Sequence, residues 1–291
     1  MAFEHAPEDK KGFYGSWPQL GAPLGLVPGT LVFSIFSAIM TEEQFLAWGW
    51  RLPFLFSIVL VIVGLWIRFT LAESPEFQKV KDTKQEARMP IIDAIRMYPK
   101  NILLAMGARF AENGFFYIYA AFVLAYATQA LGMNRQDILN GVLIAAFIET
   151  FTIPAFGALS DKLGRRPVYI FGAVFSALMS FPLFMLLGTK VPQLGWVAIA
   201  LGLAVGHAAM YGPQASFLSE LFGTKVRYSG VSLGYNLASI FAGALSPLIA
   251  TGLMAAYAPA TWPISVYMIV LALITVVSVY YATETRKAAA A

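Results

Sequence analysis

The sequence predicts an all-α membrane protein built from about eight transmembrane helices. Of its 291 residues, 58% are hydrophobic and only 12% are charged, whereas soluble domains usually carry about 25% charged residues. Eight stretches reach the roughly 20 apolar residues that a helix needs to cross a bilayer. Their apolar side chains do not alternate as in an outer-membrane strand. A helix also satisfies its own backbone polar groups in lipid.

The predicted spans fall into a pair and a group of six, separated by the polar stretch 73–100. In chain order the spans are 17–40, 52–71, 101–128, 138–159, 167–188, 194–217, 229–255 and 262–281. The last two share a charge-free run that is too long for one helix. The run breaks at 257–260, where Tyr-Ala-Pro-Ala predicts a turn.

The placement of Lys and Arg predicts the orientation. With the N-terminus in the cytoplasm, all but four of the 20 cations lie on the cytoplasmic side; Arg51, Arg135 and Lys190 lie outside, and Arg109 lies within a span. The positive-inside rule then predicts a multi-pass protein of the cell inner (plasma) membrane with both termini cytoplasmic.

The charged stretch 73–100 favours a solvated linker, with attraction to anionic lipid as the second alternative. Its second half could form a short helix at the membrane surface, because Ile91, Ile92 and Ile95 would share one face.

Several protein classes lack support in the sequence. The absence of Cys excludes disulfides and Cys-ligated metals, and two His residues argue against a His-rich metal site. The phosphate-loop, zinc-protease and serine-hydrolase motifs are absent, which disfavours an enzyme. Ion channels are disfavoured because no polar filter motif repeats. We therefore expect no metal and no bound cofactor.

The most specific motif is GALSDKLGRR at 157–166. It resembles the Gly-x-Leu-x-Asp-Arg-x-Gly-Arg-Arg signature of the major facilitator superfamily, with Lys162 replacing the usual Arg. Further stretches are similar to the metabolite:proton symporter branch, which includes shikimate, alpha-ketoglutarate, citrate and osmolyte carriers. These stretches are 43–54, 109–114, 211–215 and 220–230.

The resemblance covers essentially the whole chain and implies a major facilitator-type bundle. The chain matches the last eight of the family's twelve helices, so we expect a copy that lacks the first four. It then comprises a partial N-terminal half at 1–72, a cytoplasmic linker at 73–100 and a six-helix C-terminal half at 101–291.

The family implies a monomeric carrier that works by alternating access. The expected activity is symport of a small organic acid or related metabolite, a carboxylate or zwitterion, with the proton as coupling ion. The alternative is a non-transporting membrane fragment or scaffold.

Two cytoplasmic connections carry residues that the resemblance assigns to a gate. In the family, such clusters hold the cytoplasmic side shut in one state and separate in the other. An exposed ion pair contributes only about 0–1 kcal/mol, so a gate needs a network. The alternative is simple positive-inside anchoring. The gate candidates are Asp161, Arg165, Arg166, Glu220 and Arg227.

Three charges lie within predicted spans, where each costs at least about 2.5–3.5 kcal/mol. Arg109 and Glu112 are three residues apart and share a helix face, and Glu149 lies at nearly the same depth as Arg109. Two acids therefore compete for one base. We expect one to pair with Arg109 and the other to be a candidate proton carrier. A purely structural network, or an Arg109 that binds a substrate carboxylate, are the alternatives.

Other polar side chains in the spans are candidates for the binding cavity. Packing is the favoured interpretation for a lone intramembrane His and for the aromatic run 115–117. Glycine pairs at 202 and 206 and at 230 and 234, and the triplet at 21, 25 and 29, predict close helix approaches. The cavity candidates are Asn113, Tyr117, His207, Gln214, Tyr235 and Asn236.

Overall fold

The computed structural model describes residues 6–70 and 90–285, and every regular element in these ranges is a helix. Ten helices are labelled here in chain order. They are α1 (Lys11–Ser16), α2 (Gly21–Ile39), α3 (Phe45–Thr70), α4 (Pro90–Met97), α5 (Pro99–Tyr117), α6 (Arg135–Leu163), α7 (Arg165–Gly188), α8 (Pro192–Glu220), α9 (Arg227–Tyr257) and α10 (Trp262–Tyr281).

Wide π-helical segments interrupt several of these helices. After Tyr117 the helical path of α5 continues through a π segment, the short turn Val123–Ala125 and a second π segment. Helices α3, α8 and α9 each contain one π segment. The π segments are Phe45–Gly49, Ile118–Phe122, Tyr126–Ala130, Gly202–His207 and Ser239–Ala244.

Local sequence signals explain the helix ends. Asn134 precedes α6, and its side chain accepts a 2.8 Å hydrogen bond from the N–H of Gln136, as an N-cap does. Gly164 alone separates α6 from α7 and has φ 103°, a conformation that glycine adopts most readily. The predicted turn at 257–260 is confirmed: α9 ends at Tyr257, and the N–H of Ala260 donates to the carbonyl of Tyr257 at 2.8 Å.

The helices confirm the predicted all-α membrane class. Within the described residues, six helices are long and apolar enough to cross a membrane, namely α3 and α6 to α10. The other two predicted spans correspond to α2, with 19 residues, and to α5 with its π-helical continuation. Helix α5 is more polar because it contains Lys100, Arg109 and Glu112.

The core lies among α5 to α10. Helix α5 packs against α9 and α10, α7 packs against α10, and α6 packs against α8. By contrast, α3 buries only Gly49 and Pro53 among its described residues. Such an apolar surface would promote association in water, but lipid chains solvate it in a bilayer.

The described residues before the first predicted span form a short helix inside the bundle. Helix α1 packs between α6 and α8 and buries Gly12, Gly15 and Ser16. The N-terminal segment is therefore part of the bundle.

Helix α4 agrees with the predicted surface helix. Ala94 is buried, whereas Ile91, Ile92 and Ile95 are exposed. Most of the predicted linker 73–100 lies in 71–89, outside the described residues. The division into 1–72, 73–100 and 101–291 stays a prediction.

Candidate functional site

A buried cluster of charged residues joins helices in the middle of the bundle. On α5, the Nε of Arg109 donates to Oε2 of Glu112 at 2.9 Å, and each residue is only 3% exposed. The Nη1 of Arg109 also donates to the carbonyl of Tyr235 at 3.2 Å and to Oγ of Ser239 at 3.4 Å on α9. The predicted pairing of one acid with Arg109 is therefore present, with Glu112 as that acid.

The second acid contacts a histidine. Glu149 on α6 contacts Nδ1 of His207 on α8, while Nε2 of the same ring lies 3.3 Å from Oε1 of Glu112. Tyr211 stacks on the imidazole with a centroid distance of 4.9 Å. His207 therefore bridges two acids, whereas packing was the favoured interpretation from the sequence.

Gln214 connects the cluster to two further elements. Its Nε2 donates to Oε2 of Glu112 at 2.8 Å and to the hydroxyl of Tyr169, on α7, at 2.9 Å. Its Oε1 accepts from Gln19 at 3.4 Å. Gln214 thus holds Glu112 in place from the side opposite the histidine.

A cavity of about 230 Å³ borders this cluster. Six of the nine predicted residues line it, while Glu149 and Gln214 lie behind the wall, bonded to lining residues. Asn236 is exposed, and its amide donates to the carbonyl of Ser232 at 2.8 Å. The lining residues are Ala22, Arg109, Glu112, Asn113, Phe116, Tyr117, His207, Tyr211, Tyr235 and Ser239.

The lining includes four residues outside the nine candidates. Phe116 belongs to the aromatic run that was assigned to the core; its neighbour Phe115 is fully buried, as expected for a core residue. Tyr211 precedes a Gly-Pro pair within a predicted span, and such a helix-loosening site is expected where a helix lines a cavity. Ser239 starts a π segment, a feature frequent at functional sites. Ala22 has no chemical signal in the sequence.

A second cluster lies at the end of the bundle that is predicted to be cytoplasmic. The carboxylate of Asp161 accepts hydrogen bonds from the N–H groups of Gly12, at 2.7 Å, and Phe13, at 2.8 Å. It also pairs with Nη1 of Arg165 at 2.7 Å, and Nη2 of Arg165 lies 3.2 Å from Glu220. Three of the five predicted gate residues are therefore in direct contact, on α6, α7 and α8.

The other two predicted gate residues have different partners. The Nε of Arg166 donates to the carbonyl of Val279 at 3.0 Å at the end of α10. The Nε of Arg227 donates to the carbonyl of Phe222 at 3.4 Å, and its Nη2 donates to Thr224 at 3.4 Å. Both arginines thus fix neighbouring backbone segments around the cluster.

Sequence reasoning missed the C-terminal contribution to this cluster. The carboxylate of Glu284 accepts the backbone N–H groups of Arg165 and Arg166, each at 3.0 Å. These N–H groups at the start of α7 have no partner within their own helix, and a negative charge is favourable there. The hydroxyl of Thr285 donates to Glu220.

Comparisons with known proteins agree with this architecture. A family model described as Major Facilitator Superfamily matches residues 1–247. The shikimate transporter of Escherichia coli (strain K12) is 37% identical over 292 residues, which cover 99% of this chain and 66% of the relative. A glycine betaine/proline/ectoine/pipecolic acid transporter, OusA of Dickeya dadantii, is 32% identical over 97% of this chain and 58% of the relative.

Solved structures show the same fold. The proton:xylose symporter XylE bound to 6-bromo-6-deoxy-D-glucose superimposes with a TM-score of 0.71 at 18% identity, over 96% of this chain and 64% of that chain. The chain spans just under two thirds of the length of its relatives. Because these relatives are named as transporters, the prediction that the chain is not an enzyme is confirmed.

Proposed function

The chain belongs to the major facilitator superfamily, and from this premise we propose that it is a proton-coupled carrier of a small organic acid or related metabolite. Its relatives are named as transporters of shikimate and other metabolites. A structural neighbour is named as a proton symporter. The carrier is a monomer of the inner membrane with both termini in the cytoplasm.

The observation that carries this proposal is the cavity beside Arg109. The guanidinium of Arg109 lies over the ring of Tyr235 and uses Nε and Nη1 for its hydrogen bonds, and among the described residues Nη2 has no hydrogen-bond partner. Because a guanidinium binds carboxylates well, these free N–H groups suit a substrate carboxylate. The rings of Phe116 and Tyr211 in the same lining suit the cationic end of a zwitterion.

Gating is assigned to the cluster around Asp161. It joins α1 to three helices, α6, α7 and α8, through hydrogen bonds to an ionised carboxylate. These bonds hold the cytoplasmic side closed, and their separation opens the cavity to that side. Ion pairs of this kind have two discrete arrangements, as alternating access requires.

A non-transporting membrane component is the second candidate. The cavity itself also fits this function, because binding a metabolite needs only the lining residues. Under this interpretation the cavity binds a metabolite without moving it across the membrane.

Uptake into proteoliposomes distinguishes the candidates. The full chain is reconstituted and given radiolabelled shikimate, proline or glycine betaine, with and without an acidic exterior. We expect accumulation of at least one probe that is stimulated by the acidic exterior. Arg109→Lys should lower this uptake at least about tenfold, because one ammonium group cannot replace the contacts of Arg109 with Glu112 and α9 and still present free N–H groups to the cavity. Asn236→Ala changes a residue outside the cavity and should leave the uptake unchanged. Failure of all three probes to accumulate would refute the carrier proposal.

A further inference from the structure

The two contacts of His207 determine how many protons the group of Glu112, His207 and Glu149 must hold. Nδ1 contacts Oε1 of Glu149, and Nε2 lies 3.3 Å from Oε1 of Glu112. A neutral imidazole has one donor and one acceptor nitrogen, and an ionised carboxylate only accepts. With a neutral ring and two ionised acids, one contact would therefore oppose two acceptors. Both contacts are satisfied only when the group holds one additional proton.

We infer that this arrangement holds one exchangeable proton, shared by Glu149 and His207, and that its release separates the imidazole from one of the two acids. Two forms that place the additional proton on His207 or Glu149 satisfy the hydrogen bonds. In one, an imidazolium donates to both carboxylates. In the other, the protonated carboxyl of Glu149 donates to Nδ1, while Nε2–H donates to Glu112. The inference rests on the proposed function, because it names the group that carries the coupling proton.

The surroundings favour Glu149 over Glu112 as the carboxyl that shares the proton. Oε2 of Glu112 accepts from Nε of Arg109 at 2.9 Å and from Nε2 of Gln214 at 2.8 Å, and such donors stabilise an ionised carboxylate. Glu149 has His207 as its only polar partner among the described residues. The ion pair with Arg109 therefore occupies Glu112.

Charge balance leads to the same count. Arg109 and Glu112 neutralise each other, so an ionised Glu149 beside a neutral imidazole would leave one net negative charge at a site only 2% exposed. An unpaired charge in such a place is strongly unfavourable. The other titratable groups that face the cluster are Tyr169, Tyr211 and Tyr235, which provide no second cation. The additional proton makes the cluster neutral.

The imidazole also offers a route for the proton. His207 and Glu112 line the cavity, whereas Glu149 lies behind the wall. A proton that binds Nε2 from the cavity allows the Nδ1 proton to move to Oε1 of Glu149. A hydronium ion in the cavity loses one O–H bond as Nε2 gains an N–H bond, and the N–H bond at Nδ1 breaks as the O–H bond on Glu149 forms, so the transfer is balanced. The reverse sequence returns the proton to the cavity.

Spectroscopy on the full chain tests the proton count directly. The protein has two histidines, His5 and His207, so His5→Asn leaves one reporter for NMR of ¹⁵N-histidine-labelled protein in liposomes. At neutral pH we expect either both ring nitrogens protonated or a neutral ring together with an infrared carboxylic acid C=O band. A neutral ring without that band would overturn the inference.

Two variants assign the proton. In Glu149→Gln the amide can either donate or accept, so the demand for a proton disappears. The ring should then be neutral and the carboxylic acid band absent. Asp137→Asn removes a half-buried acid in the first turn of the same helix, remote from the cluster in sequence, and should leave both signals unchanged. Identical signals from Glu149→Gln and the parent would contradict the assignment to Glu149.

Transport of radiolabelled shikimate separates this inference from the proposed function. Glu149→Gln should retain exchange across the membrane but show equal uptake with and without an acidic exterior. Retained stimulation in this variant would overturn the inference and leave the carrier proposal intact. Absence of uptake of shikimate, proline and glycine betaine by the parent would refute the carrier proposal, while the spectra would still decide the proton count.

Discussion

Asp161→Asn is the sharpest test of the gate, because one carboxylate accepts two backbone hydrogen bonds from α1 and also pairs with Arg165 of α7. Oδ1 of Asp161 accepts from the N–H of Gly12 and from Arg165, and Oδ2 accepts from the N–H of Phe13. Asparagine keeps one oxygen and replaces the other with an NH₂ group. That group would face the N–H of Phe13, donor against donor.

The structure allows the size of the effect to be worked out. Hydrogen bonds to charged groups contribute about 1.5–3 kcal/mol and neutral ones about 0.5–1.5 kcal/mol. The substitution removes the charged bond from Phe13 and turns the bond from Gly12 into a neutral one. It also reduces the ion pair with Arg165 to a hydrogen bond in which only the donor is charged. Arg165 keeps Glu220 as a partner, which limits the loss. The total is about 3–4 kcal/mol, which corresponds to a shift of roughly 100- to 1,000-fold in the closed-to-open equilibrium.

The natural absence of cysteine makes this equilibrium measurable. Ser16→Cys places a single thiol at a position with 0% exposure, where α1 meets α6. The rate of its reaction with a maleimide in detergent reports the open fraction when opening is fast relative to labelling. Asp161→Asn should accelerate labelling by the factor above, up to the rate of an exposed thiol.

A matched control and a clear limit define the refutation. Lys162→Asn changes the neighbouring exposed charge and should leave the rate unchanged. An acceleration of fivefold or less for Asp161→Asn would correspond to at most about 1 kcal/mol, the value of an exposed ion pair. That result would mean that Asp161 only anchors the chain and does not hold the cytoplasmic side closed.

Two further substitutions and one double mutant extend these tests. Gly157→Ala should open the contact with α1, because the added Cβ would lie 2.7 Å from the carbonyl oxygen of Gly12. The labelling rate of Ser16→Cys should therefore increase. Gly25→Ala is the control, because a Cβ there would have no atom within 4 Å, and it should leave the rate unchanged. Glu284→Ala should lower the melting temperature in detergent, because losing the acceptor at the start of α7 costs about 1–2 kcal/mol of the free energy of unfolding. Thr283→Ala, at an exposed neighbouring position, should leave the melting temperature unchanged. Equal melting temperatures for the two variants would contradict the capping role of Glu284. Combining Glu149→Gln with Asp161→Asn should change the Ser16→Cys labelling rate by a factor that differs from the product of the two single-variant factors. A factor equal to that product within error would mean that the two clusters are independent.

Much of the fold could be predicted because membrane helices are defined by local composition. Hydropathy placed the helices and the turn before α10, and the turn-forming Gly164 lies in a motif. The glycine spacings were informative only where a partner helix is present. A Cβ on Gly202 would meet Tyr119, and one on Gly234 would meet Ala105, but Gly21, Gly25 and Gly29 have no atom within 4 Å. Glycine spacing predicts that another helix can approach closely. Only the packing of the bundle determines whether another helix lies there.

The candidate site was predictable along each helix but not between helices. A separation of three residues fixes Arg109 and Glu112 on one face of α5, and the rise per residue gave Glu149 the correct depth. The rotation of α6 about its axis depends on packing, so the actual partner of Glu149, His207, could not be identified. Backbone donors such as the N–H of Gly12 have no sequence signature at all.

The double mutant matters because the same two helices carry both clusters. Helix α6 holds Glu149 and Asp161, and α8 holds His207 and Glu220. The two residues of each pair are 12 and 13 positions apart in the sequence, which corresponds to about 18–20 Å along the helix axis. A helix that moves at one end must move or bend at the other, and Pro154 in α6 and Pro213 in α8 lie between the two clusters, where such a bend is favoured. Loss of the shared proton frees α8 from α6 beside the cavity, and Arg165 opposes the same displacement at the far end by bridging Asp161 and Glu220. The proton therefore changes the free energy of opening through the helices themselves, without a chain of side-chain contacts between the two clusters.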